Sequence, residues 1–234
     1  MGLGDWVLAT ADAREVNEAT GQKVAFGDGR NYFYEAQIFD GNPRIAKIDE
    51  DCVWVENYPG KRPYIKHIKN GRIVFNDSYR ARPGELFVEK SDALKGKILV
   101  ETRVNPKYVH TQNKAWPHWD EFLKKDLPFV TVESLKTETF RDALKLLKGC
   151  SLFVGTDGAL HHAAAALNVP AVVIWTGYSS PRHLGYDSQV NIHDGSEPCG
   201  TFSKVCNHCL KKAKQIDVDL VIRTIKSEFN RANQ

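Results

Sequence analysis

The chain has 234 residues, of which 42% are hydrophobic and 26% are charged. This composition is typical of a globular protein with a buried core, and it excludes a mainly disordered chain, a collagen-like repeat and a bare coiled coil. The longest apolar runs, 163–167 and 169–175, are too short to span a bilayer, and the opening Gly-Leu-Gly-Asp does not have the pattern of a signal peptide. We therefore predict a cytoplasmic protein with one large α/β domain or two small ones.

Charge is distributed unevenly along the chain. Residues 1–60 contain 5 basic and 11 acidic residues, whereas residues 61–107 contain 12 basic and 5 acidic ones. A basic central stretch favours a phosphorylated ligand or a polyanion as partner, although a solvated basic surface gives the same pattern. Composition alone leaves both interpretations open, and it gives no oligomeric state.

The first 90 residues predict a small unit that contains one helix and several short strands. Apolar residues recur at every third or fourth position over 6–19, which predicts a helix that ends at Gly21. Strands are predicted at 23–26, 52–55, 64–68 and 72–75. The last two flank the pair Asn70-Gly71, which is typical of a β-hairpin.

From residue 97 onward, predicted strands alternate with predicted helices. The strands are at 98–101, 129–132, 152–154, 171–175 and 189–192. The helices are at 116–125, 137–148, 160–167 and 217–229. This alternation predicts βαβ units and a parallel sheet, so we expect a smaller unit over 1–90 and a Rossmann-like unit over 91–234.

The strongest local signal is the segment LFVGTDGALHHA over 152–163. An apolar strand runs into a glycine-containing turn and then into an alanine-rich helix. Such a turn presents free backbone N–H groups and the positive end of a helix at the carboxyl edge of a parallel strand, where an anion binds readily. We expect Asp157 to cap the helix and His162 to lie about one turn inside it. A tight structural turn with a capping aspartate also fits, and the pattern is neither GxGxxG nor a Walker motif.

Two further segments place a charged side chain near a predicted helix start. Lys114 precedes a helix that Pro117 would open, a position from which an ammonium group can meet a phosphate at the same sheet edge. Asp5 follows Gly2 and Gly4, which let backbone approach a ligand closely, and it is either a helix cap or a general base. The structural alternatives are an exposed loop lysine and a simple cap.

Five cysteines are too few for a disulfide scaffold in a chain of this length. Cys52 and Cys150 stand alone in apolar surroundings and are predicted to be small core residues. Cys199, Cys206 and Cys209, here called the cysteine cluster, form the pattern C-x6-C-x2-C.

The cysteine cluster has the ligand types of a structural metal site. Three thiolates with one imidazole, from His193 or His208, suit zinc. His208 is poorly placed to share one ion with the cysteines on both sides of it. Reduced thiols without a metal are the alternative.

Together these segments resemble glycosyltransferase family 9, the ADP-heptose:lipopolysaccharide heptosyltransferases. Residues 2–10, GLGDWVLAT, resemble the family's opening glycine–aspartate segment, and KAWP at 114–117 resembles its K-x-W-P loop. Residues 155–167, GTDGALHHAAAAL, resemble its G-x-D-[ST]-G-x-x-H-x-A-A-A-L segment. Residues 175–182 resemble the strand and loop that follow. The resemblance covers most of 97–192 and the first 20 residues.

The resemblance implies a GT-B-like fold, with two Rossmann-like units that contain parallel sheets. Residues 1–90 would be a reduced acceptor-side unit, and residues 91–234 a unit that binds a nucleotide sugar. It implies an inverting transferase that moves a sugar such as heptose from a nucleotide diphosphate donor to an acceptor hydroxyl, with Asp5 as general base and no obligatory metal. An ADP-sugar is the favoured donor. The implied donor-binding residues are Lys114, Gly155, Thr156, Asp157, Gly158, His162, Thr176 and Gly177.

The sequence departs from the family pattern in three respects. No strand-forming segment precedes Gly2 in this sequence, where the family has a β-strand, and the chain is shorter than is usual for the family. Gly158-Ala159 replaces the family's [ST]-G, which removes one hydroxyl contact to phosphate. We therefore expect the acceptor side to be reduced.

Related glycosyltransferases carry a cysteine-rich metal finger near the position of the cysteine cluster. The resemblance therefore implies structural zinc or iron at Cys199, Cys206 and Cys209. Two other functions stay open: a DNA-base glycosyltransferase of the same fold, whose acceptor is a hydroxylated base instead of a saccharide, and a non-catalytic relative that binds a nucleotide. The basic stretch favours a polyanionic acceptor, whereas the altered phosphate turn favours the non-catalytic relative.

Overall fold

The structure is a computed structural model that describes residues 2–30, 33–47, 50–58, 60–135 and 137–233. The α-helices are α1 (Leu3–Thr20), α2 (Val109–Gln112), α3 (Trp119–Phe122), α4 (Phe140–Gly149), α5 (Ala159–Ala166), α6 (Pro181–Leu184), α7 (Asn207–Gln215) and α8 (Val218–Ala232). The strands are β1 (Lys23–Phe26), β2 (Cys52–Val55), β3 (Ile65–Lys69), β4 (Arg72–Phe75), β5 (Ile98–Val100), β6 (Phe129–Thr131), β7 (Leu152–Thr156), β8 (Ala171–Ile174) and β9 (Val190–Ile192).

A five-stranded parallel sheet forms the centre of the C-terminal half. Its strand order is β6-β5-β7-β8-β9, and every neighbouring pair is parallel. Val100 of β5 lies opposite Thr131 on one side and Val154 on the other. All residues of β5, β7 and β8 are buried, as expected for parallel strands covered on both faces. The predicted parallel sheet of the C-terminal unit is confirmed.

Two apolar layers cover the two faces of this sheet. On one face, Leu99, Phe153 and Val173 pack in a cluster that includes side chains of α1, α4 and α5. On the other face, Val100 and Val154 pack with α8 and the short helix α3. Alternate residues of each strand therefore serve opposite layers, which follows from the two-residue period of a strand.

The N-terminal half contains two small sheets and the long helix α1. Strands β1 and β2 form a parallel pair, and β3 and β4 form the predicted antiparallel hairpin around Asn70-Gly71. Helix α1 ends at Gly21, whose φ of +73° is a conformation that favours glycine. Trp6 of α1 is fully buried in the same apolar cluster as Phe153. The division predicted near residue 90 stays a prediction, and the core is continuous across it.

Three local expectations were wrong. The helix predicted over 116–125 is only the single turn α3, because Trp116 is held in the core, where its indole N–H donates to the carbonyl of Ile216 at 3.2 Å. Helix α7, which contains Cys209 of the cysteine cluster, lies where no helix was predicted. Asp157 does not cap α5; Gly158 occupies that position. Among the described residues, none of the helices has the length and apolar character needed to cross a membrane.

Candidate functional site

The carboxyl ends of β5 and β7 define the position of the candidate site. From β5 the chain continues to β6 on one side of the sheet, and from β7 it continues to β8 on the other side. Open α/β sheets bind ligands at such a switch point, in the crevice outside the carboxyl ends of the strands. Glu101 directly follows β5, and Asp157 directly follows β7.

Asp157 is a buried carboxylate that is paired with Lys114. Lys114 Nζ lies 2.9 Å from Asp157 Oδ2, and the side chain of Asp157 is 5% exposed. The Ser179 hydroxyl donates a short hydrogen bond to the same carboxylate. Burial opposes ionisation of Asp157, but Lys114 and the neighbouring histidines hold its pKa well below the usual range. The carboxylate is therefore ionised and fixed at the turn.

The turn into α5 is closed by a histidine instead of by Asp157. The backbone N–H of Gly158 donates to His161 Nδ1 at 3.0 Å, and His161 Nε2 lies 3.1 Å from the carbonyl of Leu184. His162 Nδ1 lies 2.7 Å from the hydroxyl of Tyr186. Burial lowers the pKa of both histidines, so both are neutral near pH 7. The possible metal-ligand atoms of Asp157, His161 and His162 lie close together. Each of these side chains already has a partner within the protein, and we therefore assign all three a structural role.

Asp5 lies in the first turn of α1 and is held by two side chains from the approach to the hairpin. An Arg62 guanidinium nitrogen is 2.9 Å from Asp5 Oδ2, and the Tyr64 hydroxyl donates to Asp5 Oδ1 at 2.7 Å. Burial and the nearby Asp5 raise the pKa of Tyr64 well above its usual value, so Tyr64 stays protonated. Arg62 and Tyr64 were not among the predicted site residues; their only signal in the sequence is the basic stretch in which they lie.

The N-termini of α1 and α5 touch at Gly4. A Cβ atom on Gly4 would lie 3.0 Å from His162 Cδ2 and 3.3 Å from the Cα of Ala159. A Cβ atom there would be closer than most real Cβ contacts, so glycine favours this close approach of the two helices. The positive ends of both helix dipoles therefore meet at the Asp157 turn.

His110 lies within electrostatic range of both Asp5 and Lys114. Burial and the charge of Lys114 lower the pKa of this imidazole, whereas Asp5 and Asp157 act in the opposite direction. The His110 ring also stacks on Tyr178, with ring centroids 6.0 Å apart. The structure thus brings the predicted base and the predicted donor-binding lysine to one region.

The remaining predicted donor-binding residues line the strand ends and are largely buried. Gly155 lies within β7, where a Cβ atom would come within 2.7 Å of the Phe153 ring. Thr156 is the last residue of β7 and is buried. The Thr176 hydroxyl donates to the carbonyl of Asn113 at 2.8 Å, and Gly177 has a φ of +91°.

Glu101 is a carboxyl group at this edge that was not among the predicted site residues. Its Oε2 lies 3.3 Å from where a Cβ atom on Gly158 would be. Burial, and next the charge of Glu133, raise the pKa of Glu101 to about 8. Glu101 is therefore mostly protonated at pH 7 and adds little negative charge beside Asp157.

The cysteine cluster packs beside this edge. Cys199 Sγ lies 3.6 Å from Cys206 Sγ and 3.0 Å from Cys209 Sγ. The hydrogen bond with Cys209, supported by Thr201 and Cys206, lowers the pKa of Cys199 to about 5. Thiolates around one tetrahedral ion, at about 2.3 Å from it, stand about 3.8 Å apart, so a small rearrangement of Cys209 gives a three-thiolate site.

Neither histidine proposed as a fourth ligand joins the cluster. Among the described ranges, the ligand group here consists of Cys199, Cys206 and Cys209 alone. His193 Nδ1 accepts the N–H of Gly195 at 3.1 Å. His208 Nε2 lies 3.6 Å from where a Cβ atom on Gly177 would be. The cysteine cluster therefore fits a metal ion that has three protein ligands.

Comparisons with known proteins agree with this architecture. The sequence model of glycosyltransferase family 9 (heptosyltransferase) matches residues 123–216, which include the Asp157 turn and the cysteine cluster. The iron-containing dodecameric glycosyltransferase TibC of enterotoxigenic E. coli superposes with a TM-score of 0.65 at 14% identity, over 98% of this chain and 76% of TibC. The family 9 glycosyltransferase of Veillonella parvula superposes with a TM-score of 0.64 at 15% identity, over 99% and 95% of the two chains. A search of curated protein sequences gives no significant match.

The sequence match covers strands β6 to β9 of the C-terminal sheet, and the superpositions cover nearly the whole chain. The matched segment contains Asp157 but neither Asp5 nor Lys114. The resemblance of this chain to the glycosyltransferase family 9 heptosyltransferases, and its GT-B-like α/β fold with a reduced N-terminal half, are confirmed.

Proposed function

We propose that the chain transfers a sugar from a nucleotide diphosphate donor to an acceptor hydroxyl, with inversion at the anomeric carbon. The observation that carries the proposal is the Lys114 ammonium, held 2.9 Å from Asp157 at the switch point of the sheet, where two helix N-termini meet. This arrangement suits a diphosphate, because a cation and helix N-termini both stabilise negative charge. The resemblance to the family favours an ADP-sugar with a heptose as donor.

The donor diphosphate would lie between Lys114 and the first turn of α5. The N–H groups of Ala159 and Leu160 belong to that first turn and have no partner within the helix. As the bond to the sugar breaks, charge grows on the leaving diphosphate, and these groups stabilise it. We assign direct donor contact to Lys114 and to the backbone N–H groups that follow Gly158.

The other donor-side residues would shape the walls of the site. Gly155 and Thr156 end the strand that leads into the turn, and His162 holds α5 against α1. Thr176 and Gly177 follow the neighbouring strand β8. We propose that these buried groups fix the position of the turn.

Asp5 would accept the proton of the attacking acceptor hydroxyl. Arg62 and Tyr64 each engage one of its oxygens, and each oxygen keeps a lone pair for the acceptor. A single displacement from the side opposite the leaving group inverts the anomeric centre. The proton of the hydroxyl moves to Asp5, and the bond between the anomeric carbon and the diphosphate oxygen breaks.

A panel of ligands in a thermal-shift assay tests the donor site. ADP-sugars at about 100 times their Kd should raise the free energy of unfolding by about 2.7 kcal/mol, which is about 5–10 °C in Tm for a chain of this size. UDP- and GDP-sugars should give smaller shifts. Lys114→Met should make the shift much smaller, whereas Lys124→Met, a surface lysine, should keep it. Equal shifts for both variants would contradict the assignment of Lys114.

The rate of sugar transfer tests the base. Asp5→Asn keeps the shape of the side chain and should lower kcat by about 10²–10⁴-fold, with donor binding retained. Unchanged turnover would contradict the role of Asp5. Donor binding without turnover in the wild-type chain, with saccharide and DNA acceptors alike, would favour the non-catalytic relative.

A hydroxylated base in DNA is the second candidate acceptor. The exposed faces of β3 and β4 present Lys66, Lys69 and Arg72, which suit a phosphate backbone. Binding of a DNA duplex that falls steeply with salt concentration would support this candidate. Transfer to a saccharide, with no binding to DNA, would support the first.

We also propose that the cysteine cluster holds structural zinc or iron. TibC, which shares the fold, is described as iron-containing. Three thiolates suit either metal, and the ion would stabilise the loop over 199–206. Purified wild-type chain should contain about one metal ion per chain. Cys199→Ser should lose the ion and lower Tm, whereas Cys52→Ser, outside the cluster, should keep it.

A further inference from the structure

Asn113 is a buried side chain whose hydrogen-bonding groups all bind one distant segment. It is 1% exposed. Its Nδ2 donates to the carbonyl of Thr201 at 2.8 Å and to that of Lys204 at 3.0 Å. Its Oδ1 accepts the backbone N–H of Cys206 at 2.7 Å. One amide thus satisfies three backbone groups of the loop over 199–206.

The backbone of Asn113 is fixed as firmly as its side chain. Its carbonyl accepts the Thr176 hydroxyl at 2.8 Å, and its N–H donates to the carbonyl of His110 at 3.1 Å. The next residue, Lys114, donates its N–H to the carbonyl of Thr111 at 2.9 Å. Hydrogen bonds of Asn113 therefore connect the backbone next to Lys114 to Thr176, just after β8, and to the loop over 199–206.

We infer that Asn113 is the positioning residue for Lys114, an inference that rests on the proposed donor site. A lysine side chain has four flexible carbon–carbon bonds and loses much rotamer freedom when it is held in one place. Fixing the backbone from which that side chain starts removes the separate cost of ordering this peptide before the ligand arrives, which strengthens binding. Asn113 itself does not touch the donor; it places the Lys114 ammonium beside the Asp157 turn.

A double-mutant cycle on ADP affinity separates positioning from a general structural role. The variants are Asn113→Ala, Lys114→Met and the double variant, with affinity measured by calorimetric titration of ADP at low ionic strength. Asn113→Ala should weaken ADP binding by about 10-fold when Lys114 is present. In the Lys114→Met background the same change should alter affinity by less than about 2-fold, because the group that Asn113 positions is gone.

Asn191 provides a matched control at the far edge of the sheet. Its Nδ2 donates to the carbonyls of Tyr186 and Gln189, and its Oδ1 accepts the indole N–H of Trp175. Asn191→Ala therefore also loses two donated hydrogen bonds and one accepted hydrogen bond. It should leave ADP affinity within about 2-fold of the wild-type value and give the same small effect with or without Lys114.

Three outcomes would overturn the inference. ADP affinity that falls equally for Asn113→Ala and Asn191→Ala would reduce Asn113 to a general structural role, as would full additivity of Asn113→Ala with Lys114→Met. If Asn113→Ala does not fold, Asn113→Asp, which keeps the acceptor for Cys206, takes its place in the same cycle. If the wild-type chain binds no nucleoside diphosphate, the proposed donor site fails first, and the inference falls with it.

Discussion

The carboxylate of Asp5 is defined by the two side chains that hold it. Arg62 supplies a charge, and Tyr64 supplies a neutral donor whose raised pKa keeps it protonated. A base that is held in one orientation needs little rearrangement as the proton moves. The geometry around Asp5 is therefore as important as its chemistry.

Tyr64→Phe should slow sugar transfer more than it destabilises the fold. Loss of one hydrogen bond costs about 1 kcal/mol of stability, but it frees Asp5 to rotate about its side-chain bonds. We expect kcat to fall by about 10-fold or more, measured by steady-state kinetics beside a denaturation curve. Tyr58→Phe, which removes a similar bond to the half-buried Glu56, should leave kcat unchanged. Equal kcat values for the two variants would contradict the orienting role.

Glu101 should make the fold less stable as pH rises. Its pKa is about 8 in the folded chain against 4.5 as the ordinary value, so between these values the folded state binds the extra proton. The stability that this group contributes is therefore greatest below pH 4.5, and it decreases by about 1.4 kcal/mol for each pH unit until pH 8. Glu101→Gln should flatten the dependence of unfolding free energy on pH over this range, measured by denaturant titration. An unchanged slope would contradict the raised pKa.

Single residues were predicted well where their role is local and poorly where a distant partner decides it. Gly21 ends α1 as expected, because a left-handed end depends only on its neighbours. Asp157 was expected to cap α5, but Lys114, which lies far away in sequence, pairs with it. Tertiary contacts of this kind leave no periodic signal in the sequence.

At the scale of elements, a short strand pairing, here called the seam, joins the β3–β4 hairpin to the loop over 199–206. Ile73 donates its N–H to the carbonyl of Gly200 at 2.9 Å, and Phe202 donates to that of Gly71 at 3.0 Å. Gly200 has a φ of +60°, and a Cβ atom there would overlap the carbonyl oxygen of Ile73. The hairpin that leads from Tyr64 and the loop that Asn113 holds are thus neighbours in one extended strand pairing.

Gly200→Ala should open this seam. Gly195 is the matched control, since its φ is +76° but a Cβ atom there would meet nothing within 4 Å. Gly195→Ala should cost about 1 kcal/mol for its backbone alone, whereas Gly200→Ala adds a steric clash and should cost several kcal/mol. Chemical denaturation of both variants measures the difference. Equal losses would mean that the seam does not exist in solution.

Strands and long helices were predicted closely because each has its own period of apolar residues. The ranges predicted for β1, β2 and β4 are those of the structure, and α1 differs by three residues at its start and one at its end. The short helices α3 and α7 were not predicted closely, because a single turn or a helix rich in lysine has little apolar pattern. Tertiary packing decides such segments.

At the scale of the whole molecule, one apolar cluster joins the two halves. Trp6 and Phe26 of the N-terminal half lie in the same cluster as Leu144 and Phe153. If one half unfolded, the apolar surface of the other half that packs against it in this cluster would be exposed to water. The halves therefore depend on each other for their burial.

The chain should unfold in one step. A shared core makes partial unfolding costly, so calorimetric and van't Hoff enthalpies should agree in a thermal scan. Two separate transitions, or an intermediate that keeps only the parallel sheet, would mean that the N-terminal half folds independently. Far-ultraviolet circular dichroism and tryptophan fluorescence, followed together, provide the second check.

The ion pair between Lys114 and Asp157 means that the resting molecule already carries its own counter-ion where an incoming anion would settle. A bound diphosphate must share the Lys114 ammonium with the Asp157 carboxylate, and this carboxylate repels the diphosphate. As the newcomer draws the ammonium away, Asp157 becomes easier to protonate, and the complex takes up a fraction of a proton from the buffer. Heats of ADP titration should therefore vary with the ionisation enthalpy of the buffer, and the affinity should improve as the solution becomes more acidic.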